Sequence, residues 1–190
     1  MTKPFVWTKM GIESGEALED IIRRKDTERV VGGGEFWWGI GSSLGPAARL
    51  AARSNGGKLP VIFSKTLGRA KPADQSPEMI WKWTAWEDED GRTQNLPPHA
   101  HVISRGAQTK ERHYALVCYS ESPISLRNGG KPFDPTLCRT PSGKVPGTSQ
   151  VTALLHGSPE AHNSGLYEVG FQATLVQPWA VKLLRPIPWQ

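Results

Sequence analysis

Apolar positions along the 190-residue chain fall into short runs separated by Gly, Pro and Asn. Residues 4–10, carrying Phe5, Val6 and Trp7, read as a first strand that Gly11 ends. Ala17, Leu18, Ile21 and Ile22 then recur at helical spacing and predict an amphipathic helix lying on a sheet. Ser14 can cap that helix, Glu16, Glu19 and Asp20 suit its positive N-terminal end, and Arg23, Arg24 and Lys25 suit its negative C-terminal end. Gly32-Gly33-Gly34 closes the unit. Residues 35–40 predict a short strand, and 46–53 a short helix with Pro46 at its favoured first position, stopped by Asn55-Gly56-Gly57. Residues 59–64 resume as a strand, which Pro60 places at an edge or at the strand's start.

Further along, residues 80–86 alternate, with Trp81, Trp83 and Ala85 on one face and Ile80, Lys82, Thr84 and Trp86 on the other. The acidic run Glu87-Asp88-Glu89-Asp90 with Gly91 predicts an exposed turn, and 99–104 and 113–119 predict the next strands, joined by a polar loop. Residues 121–150 are dense in Pro, Gly and Ser and read as a long surface loop containing the turn Pro141-Ser142-Gly143-Lys144. Strands are expected at 151–155, 166–176 and 179–184, and no internal repeat is apparent.

Composition narrows the class. The length suits a single domain over 1–190, with the 80–112 segment as a hairpin insertion and 121–150 as a long loop. Gly (20) and Pro (16) together approach a fifth of the chain, above the usual ~12% and below the ~25–30% of low-complexity disorder, so a loop-rich β or α+β domain is expected. No apolar run approaches the ~18 residues that cross a bilayer, and the opening residues lack a signal peptide's apolar core, so the expectation is a soluble, cytoplasmic protein. Charge is uneven. From Phe36 to Ala73 there is no acid, while Arg49, Arg53, Lys58, Lys65, Arg69 and Lys71 are all present. Between Asp74 and Asp90 there are six acids against Lys82 alone. With a net charge of +5, such a basic segment suits a polyanion, and an ordinary solvated basic face is the competing reading.

Of sixteen aromatic residues eight are Trp, five of them in the groups Trp37-Trp38 and Trp81, Trp83 and Trp86. A Trp ring is most often core, but it also offers a rigid face on which a nucleobase stacks. Neighbours on a strand point to opposite faces, so only one of Trp37 and Trp38 faces a given core. The other needs a different role, and position nearest the turn favours Trp38 as the wall of a pocket. The turn Gly39-Ile40-Gly41-Ser42-Ser43-Leu44-Gly45 ahead of a helix gives flexible backbone, two hydroxyls and amides at a positive helix end, which suits either an anion or simple capping. It matches neither a phosphate-binding loop nor the dinucleotide fingerprint. His99 and His101 would share one face of a strand, with His113, Cys118, Cys138, His156 and His162 elsewhere. No finger-like or helical ligand spacing accompanies them, so no metal is expected, nor any other cofactor.

Phe5-Val6-Trp7-Thr8-Lys9 before a Ser-led helix, Trp37-Trp38-Gly39-Ile40 entering Ala47-Ala48-Arg49, and then Lys58-Leu59-Pro60-Val61-Ile62-Phe63 together resemble the opening of EVE domains. These are PUA-like domains related to the YTH, ASCH and SRA domains, and the likeness covers about residues 4–70. It implies an α+β fold, a small curved β-barrel flanked by two or three short helices, with a pocket for a modified base. In those terms Trp37 or Trp38 and a member of the Trp81, Trp83 and Trp86 group would stack on the base. Ser42 and Ser43 would meet its edge or a phosphate, and Thr8 and Lys9 are further pocket candidates. Arg49, Arg53, Lys58, Lys65 and Arg69 would hold the backbone. The expected function is a non-catalytic reader of a modified, for example methylated, base in DNA or RNA, and a nuclease, fused or acting alongside, is a compatible partner. Two alternatives stay open. One is a small hydrolase of a modified nucleoside, with Lys65, Glu35 and His101 as candidate acids or bases. The other is a Trp-rich protein-interaction module.

Overall fold

The computed structural model describes residues 3–10, 17–41, 44–66, 79–105, 113–126, 131–146, 152–158 and 167–189. Strands β1 (Lys3–Met10), β2 (Glu35–Ile40), β3 (Leu59–Thr66), β4 (Ile80–Glu87), β5 (Thr93–Asn95), β6 (Ile103–Arg105), β7 (Tyr114–Tyr119), β8 (Pro132–Phe133), β9 (Thr152–Gly157) and β10 (Tyr167–Trp189) join in one sheet. Among the described residues two α-helices accompany it, α1 (Leu18–Val31) and α2 (Gly45–Ser54). The main path runs β2-β7-β10-β3-β1-β9, and β4 branches from β10 carrying β5 and β6. Among the described residues only β1 and β3 pair in parallel, Val6 opposite Val61 and Met10 opposite Lys65, and the chain between them supplies α1, β2 and α2. The protein is thus an α+β fold on a mixed sheet. Among the described residues β2 and β9 end the path without pairing, so the sheet is not closed and its pairings stop short of a barrel.

Apolar alternation explains why both faces are covered. On β2, Phe36 and Ile40 join a first core with Val61 and Phe63 of β3, Leu116 of β7 and Ala48 and Ala52 of α2. Trp37 points the other way, into a second core with Trp83, Val102, Ala115, Val117, Val181 and Leu183. A third core gathers Phe5 and Trp7 of β1 with Ile62, Phe133, Leu155 and Tyr167. Central strands therefore read as unbroken apolar runs, as doubly covered strands must, and Tyr114 to Cys118 is buried throughout.

Several sequence expectations change. The first helix does not fade at Lys25 but continues to Val31, because Lys25, Glu28 and Arg29 are buried and internally paired rather than facing solvent at a helix end. Its cap position is Ala17, with no side-chain cap, and Ser14 lies outside the described residues. Residues 99–104 form a strand only from Ile103, since the preceding stretch is a turn against α1 and β2. Within 80–112, β4 pairs antiparallel with β5 and β6 and also joins the main sheet through seven pairs with β10. The expected 121–150 loop holds β8 and a short 3-10 turn at Pro135–Leu137, capped by Asp134. The strands expected at 166–176 and 179–184 are one strand, β10, whose pairing with β7 shifts between Leu175 and Ala180. Pro178 sits inside that shift and has no N–H to give the ladder.

Candidate functional site

The Trp37-Trp38 pair divides across the sheet. Trp37 is 2% exposed, and its indole N–H donates to Glu35 Oε1 at 2.8 Å. Trp38 is half-buried on the opposite face, edge-on to Phe63 with ring centroids 4.8 Å apart, and Phe63 is stacked on Phe171 at 4.3 Å. Trp83 belongs to the Trp37 core and donates its indole N–H to Ser104 Oγ at 2.8 Å. Trp86 leans on Trp37 at 6.1 Å, while Trp81 is half-buried near the far end of β4. The nominated tryptophans are therefore not one cage.

Among the described residues two cavities border residues 98–104. The smaller, about 120 Å³, is lined by Gly39, Gly41, Trp83, Ser104, His113 and Tyr114, among others. The rings of Trp83 and His113 in that lining pack at a tilt with centroids 5.1 Å apart. At about 30 Å³ per water that space holds only about four waters, well below the ~300–1,000 Å³ of ligand pockets. Neither Trp37 nor Trp38 lines it.

Arg49, Arg53 and Lys65 of the basic segment are partnered. The turn between β4 and β5 is held by Asp88, whose Oδ1 accepts the N–H groups of Asp90 and Arg92 and whose Oδ2 accepts Gln94 Nε2. Those hydrogen bonds hold its carboxyl below the usual range, Gln94 contributing most. The same turn carries Glu89 back onto α2, where it pairs with Arg53 and lies 3.9 Å from Arg49 Nε. Arg49 also donates to the Ala180 carbonyl at 2.8 Å, and Arg53 lies over the Trp179 ring at 5.4 Å. Lys65 pairs with Glu168 at 3.2 Å, and Lys58 is exposed. Thr8 is buried, bonded to Thr152 Oγ1 at 2.9 Å, which makes it part of the β1 and β9 contact. Lys9 lies over the rings of Trp7 and Tyr167 at 5.3 and 5.2 Å. Ser42, Ser43 and Arg69 lie outside the described residues.

The histidines separate. His99 Nε2 meets Glu35 Oε1 at 3.1 Å, and the His101 ring packs edge-on against Trp189 at 5.0 Å. Cys118 and Cys138 are free and buried, and burial pushes both thiols up. Among the described residues no three His, Cys, Asp or Glu gather as a metal site, and His162 lies outside them. The proposed acids and bases also disperse: Glu35 engages Trp37 and His99, Lys65 engages Glu168, and His101 faces α1.

Sequence reasoning missed the larger cavity, about 570 Å³, between α1 and residues 98–101. Asp20, Arg23, Arg24, Thr27, Glu28 and Val31 line one wall, and Lys82, Pro98, His99, Ala100 and His101 complete it. The helical spacing of 20, 23, 24, 27, 28 and 31 marks one face and is visible in the sequence, but such a charged face ordinarily meets only water. No helix among the described residues is long and apolar enough to cross a membrane. Comparison with known proteins found no matching family model, no matching curated protein and no matching solved structure.

Proposed function

We propose that this chain is a non-catalytic domain that binds nucleic acid and reads a modified base against Trp38. One observation carries the reading: the Trp pair splits so that Trp37 is consumed by the core while Trp38 stays half-buried, propped edge-on by Phe63 and Phe171. A ring held in that way loses little freedom when a base stacks on it, and such stacking contributes about 1–3 kcal/mol per base. Gly39-Ile40-Gly41 follows, with Ser42 and Ser43 next in the chain to meet a base edge or phosphate. Arg53 and Lys58, both exposed, are the backbone contacts, since the half-exposed pair of Arg53 with Glu89 contributes only about 0–1 kcal/mol and yields to a phosphate. Arg49, tied to the Ala180 carbonyl, serves to hold α2 in place. The curved barrel of PUA-like domains belongs to the same proposal, supported by the residues that resemble EVE domains.

A duplex target would have its base flipped out, at a cost of a few kcal/mol that stacking and edge contacts must offset. The test is a binding screen of single- and double-stranded DNA and RNA, each with and without methylated or hydroxymethylated bases. Tighter binding to a modified oligonucleotide without turnover is the expected result. Turnover of a modified nucleoside would replace this reading with a hydrolase, and absence of oligonucleotide binding would remove it.

A further inference from the structure

Glu89, in the turn between β4 and β5, sets its carboxylate on the Arg53 guanidinium and lies 3.9 Å from Arg49 Nε. Both arginines stand on α2, and Arg53 is one of the two side chains assigned above to backbone contacts. A carboxylate offers a guanidinium the same kind of acceptor oxygens as a phosphate, and the planar fork of the arginine suits either. The place that a strand phosphate needs on Arg53 is therefore held by an anion of the chain itself.

The turn owes its shape to its own bonds. Asp88 Oδ1 accepts the Asp90 and Arg92 amides at 3.0 and 2.8 Å, and the Asp88 amide donates to the Arg92 carbonyl at 2.8 Å. Gly91, at φ 76°, takes the left-handed conformation that lets the chain reverse. Below the turn β4 and β5 pair from Glu87 to Ala85, and Glu87 lies 3.7 Å from Lys182 of β10. Arg49 donates to the Ala180 carbonyl of the same strand at 2.8 Å, so α2 and the hairpin share one support. Glu89 is thus carried to α2 by a frame built elsewhere, and its contact adds little ordering cost. The pair is half-exposed on both sides, and such a pair shifts an equilibrium by up to about fivefold. That is enough to tune binding and too little to abolish it.

We propose that Glu89 is an intramolecular competitor for phosphate, seated on Arg53 and beside Arg49, which a bound strand displaces before its own phosphate reaches α2. The proposal deepens the nucleic-acid reading and rests on its assignment of Arg53 to the backbone.

The test measures binding of a plain single-stranded oligonucleotide and of a short inorganic polyphosphate to wild type, Glu89→Gln and Asp90→Asn. Asp90 lies on the same turn, makes no ion pair among the described residues, and its change removes the same charge from nearly the same place. Both side chains are exposed, so both variants should keep urea midpoints near wild type. Glu89→Gln should bind both probes about three to five times more tightly than wild type, and adding Arg53→Ala should abolish the gain. Asp90→Asn should gain less than about twofold. Equal gains in the two variants would make net charge the cause and overturn the competitor, as would no gain in Glu89→Gln with either probe. Polyphosphate reads α2 without any base. A gain for polyphosphate alone, with no oligonucleotide bound, keeps Glu89 as the competitor and removes the base-reading proposal. Preference for a modified base, with no gain in Glu89→Gln, does the reverse.

Discussion

Trp37 and Trp38 are neighbours in sequence with separate fates, and the alternation of a strand was enough to foresee the separation. What it could not say is how each ring is supported, because the partners Trp83, Val102 and Val181 on one side and Phe63 and Phe171 on the other come from distant strands. Trp37→Ala should cost about 3–5 kcal/mol in urea unfolding, from lost burial and a cavity, and it also strips Glu35 of a donor. Trp38→Ala, at a half-buried site, should cost clearly less. Equal losses would place both rings in the core. His101 gives a pH signature. Held neutral down to about pH 4, it refuses in the folded state a proton that the unfolded chain accepts from about pH 6.5 downward. Stability from this group is therefore complete above about 6.5 and falls on acidification to about 4. Urea midpoints of wild type and His101→Gln should converge or cross as pH drops through that window. A constant separation would mean that His101 titrates alike in both states.

Helix α1 shows why elements are harder to read than residues. Its early apolar stripe, Ile21 and Ile22, was legible, but its second half is docked by charge. Lys25 Nζ donates to Glu28 Oε2 and to the carbonyls of Trp37 and His101, while Glu28 Oε1 accepts the Trp37 amide at 2.7 Å. A sequence scan treats such residues as solvent-facing, so the helix's length and the groove beside it went unseen. Gly34, at φ 109°, ends the unit where an added Cβ would meet the Tyr119 ring at 2.4 Å, and that turn was legible because only Gly suits it. Replacing Lys25 by Ala strands Glu28 in the interior and should cost about 3–5 kcal/mol. Lys25→Met with Glu28→Leu should cost less than the sum of the single changes, as a double-mutant cycle in urea would show, and simple additivity would mean the two charges do not act as a pair. On α2, the sequence displayed the basic run and the acidic turn as separate features, and only the β4 and β5 hairpin brings Glu89 to Arg53. Arg53→Ala should lower the slope of log affinity against log salt by about 0.9 on duplex or about 0.7 on single strands, the loss of one phosphate contact. An unchanged slope would move the backbone path off α2.

Across the whole molecule, the strands expected at 59–64 and 113–119 were readable because β3 and β7 each lie between two neighbours and carry a buried apolar run, and the one at 35–40, at the end of the path, because Phe36, Trp37 and Ile40 are buried on its two faces. The topology was not, since β10 pairs in turn with β3, β7 and β4 along 23 residues and no local pattern announces that path. Trp179 is one reason. It takes φ 62°, rare for a bulky residue, while buried and donating its indole N–H to the Gly57 carbonyl at 2.8 Å. That arrangement ties β10 to the turn that follows α2. The central claim is that Trp38 is the wall against which a modified base is read. It is tested most directly by the affinity ratio of one oligonucleotide with and without its modified base, measured for wild type and for a folded Trp38→Ala. The account predicts a clear preference for the modified strand in wild type. In the variant about 1–3 kcal/mol of affinity should be lost, most of it from the modified strand, so that the ratio falls toward one. An unchanged ratio in the variant, or no preference in wild type for any modified base, would contradict it.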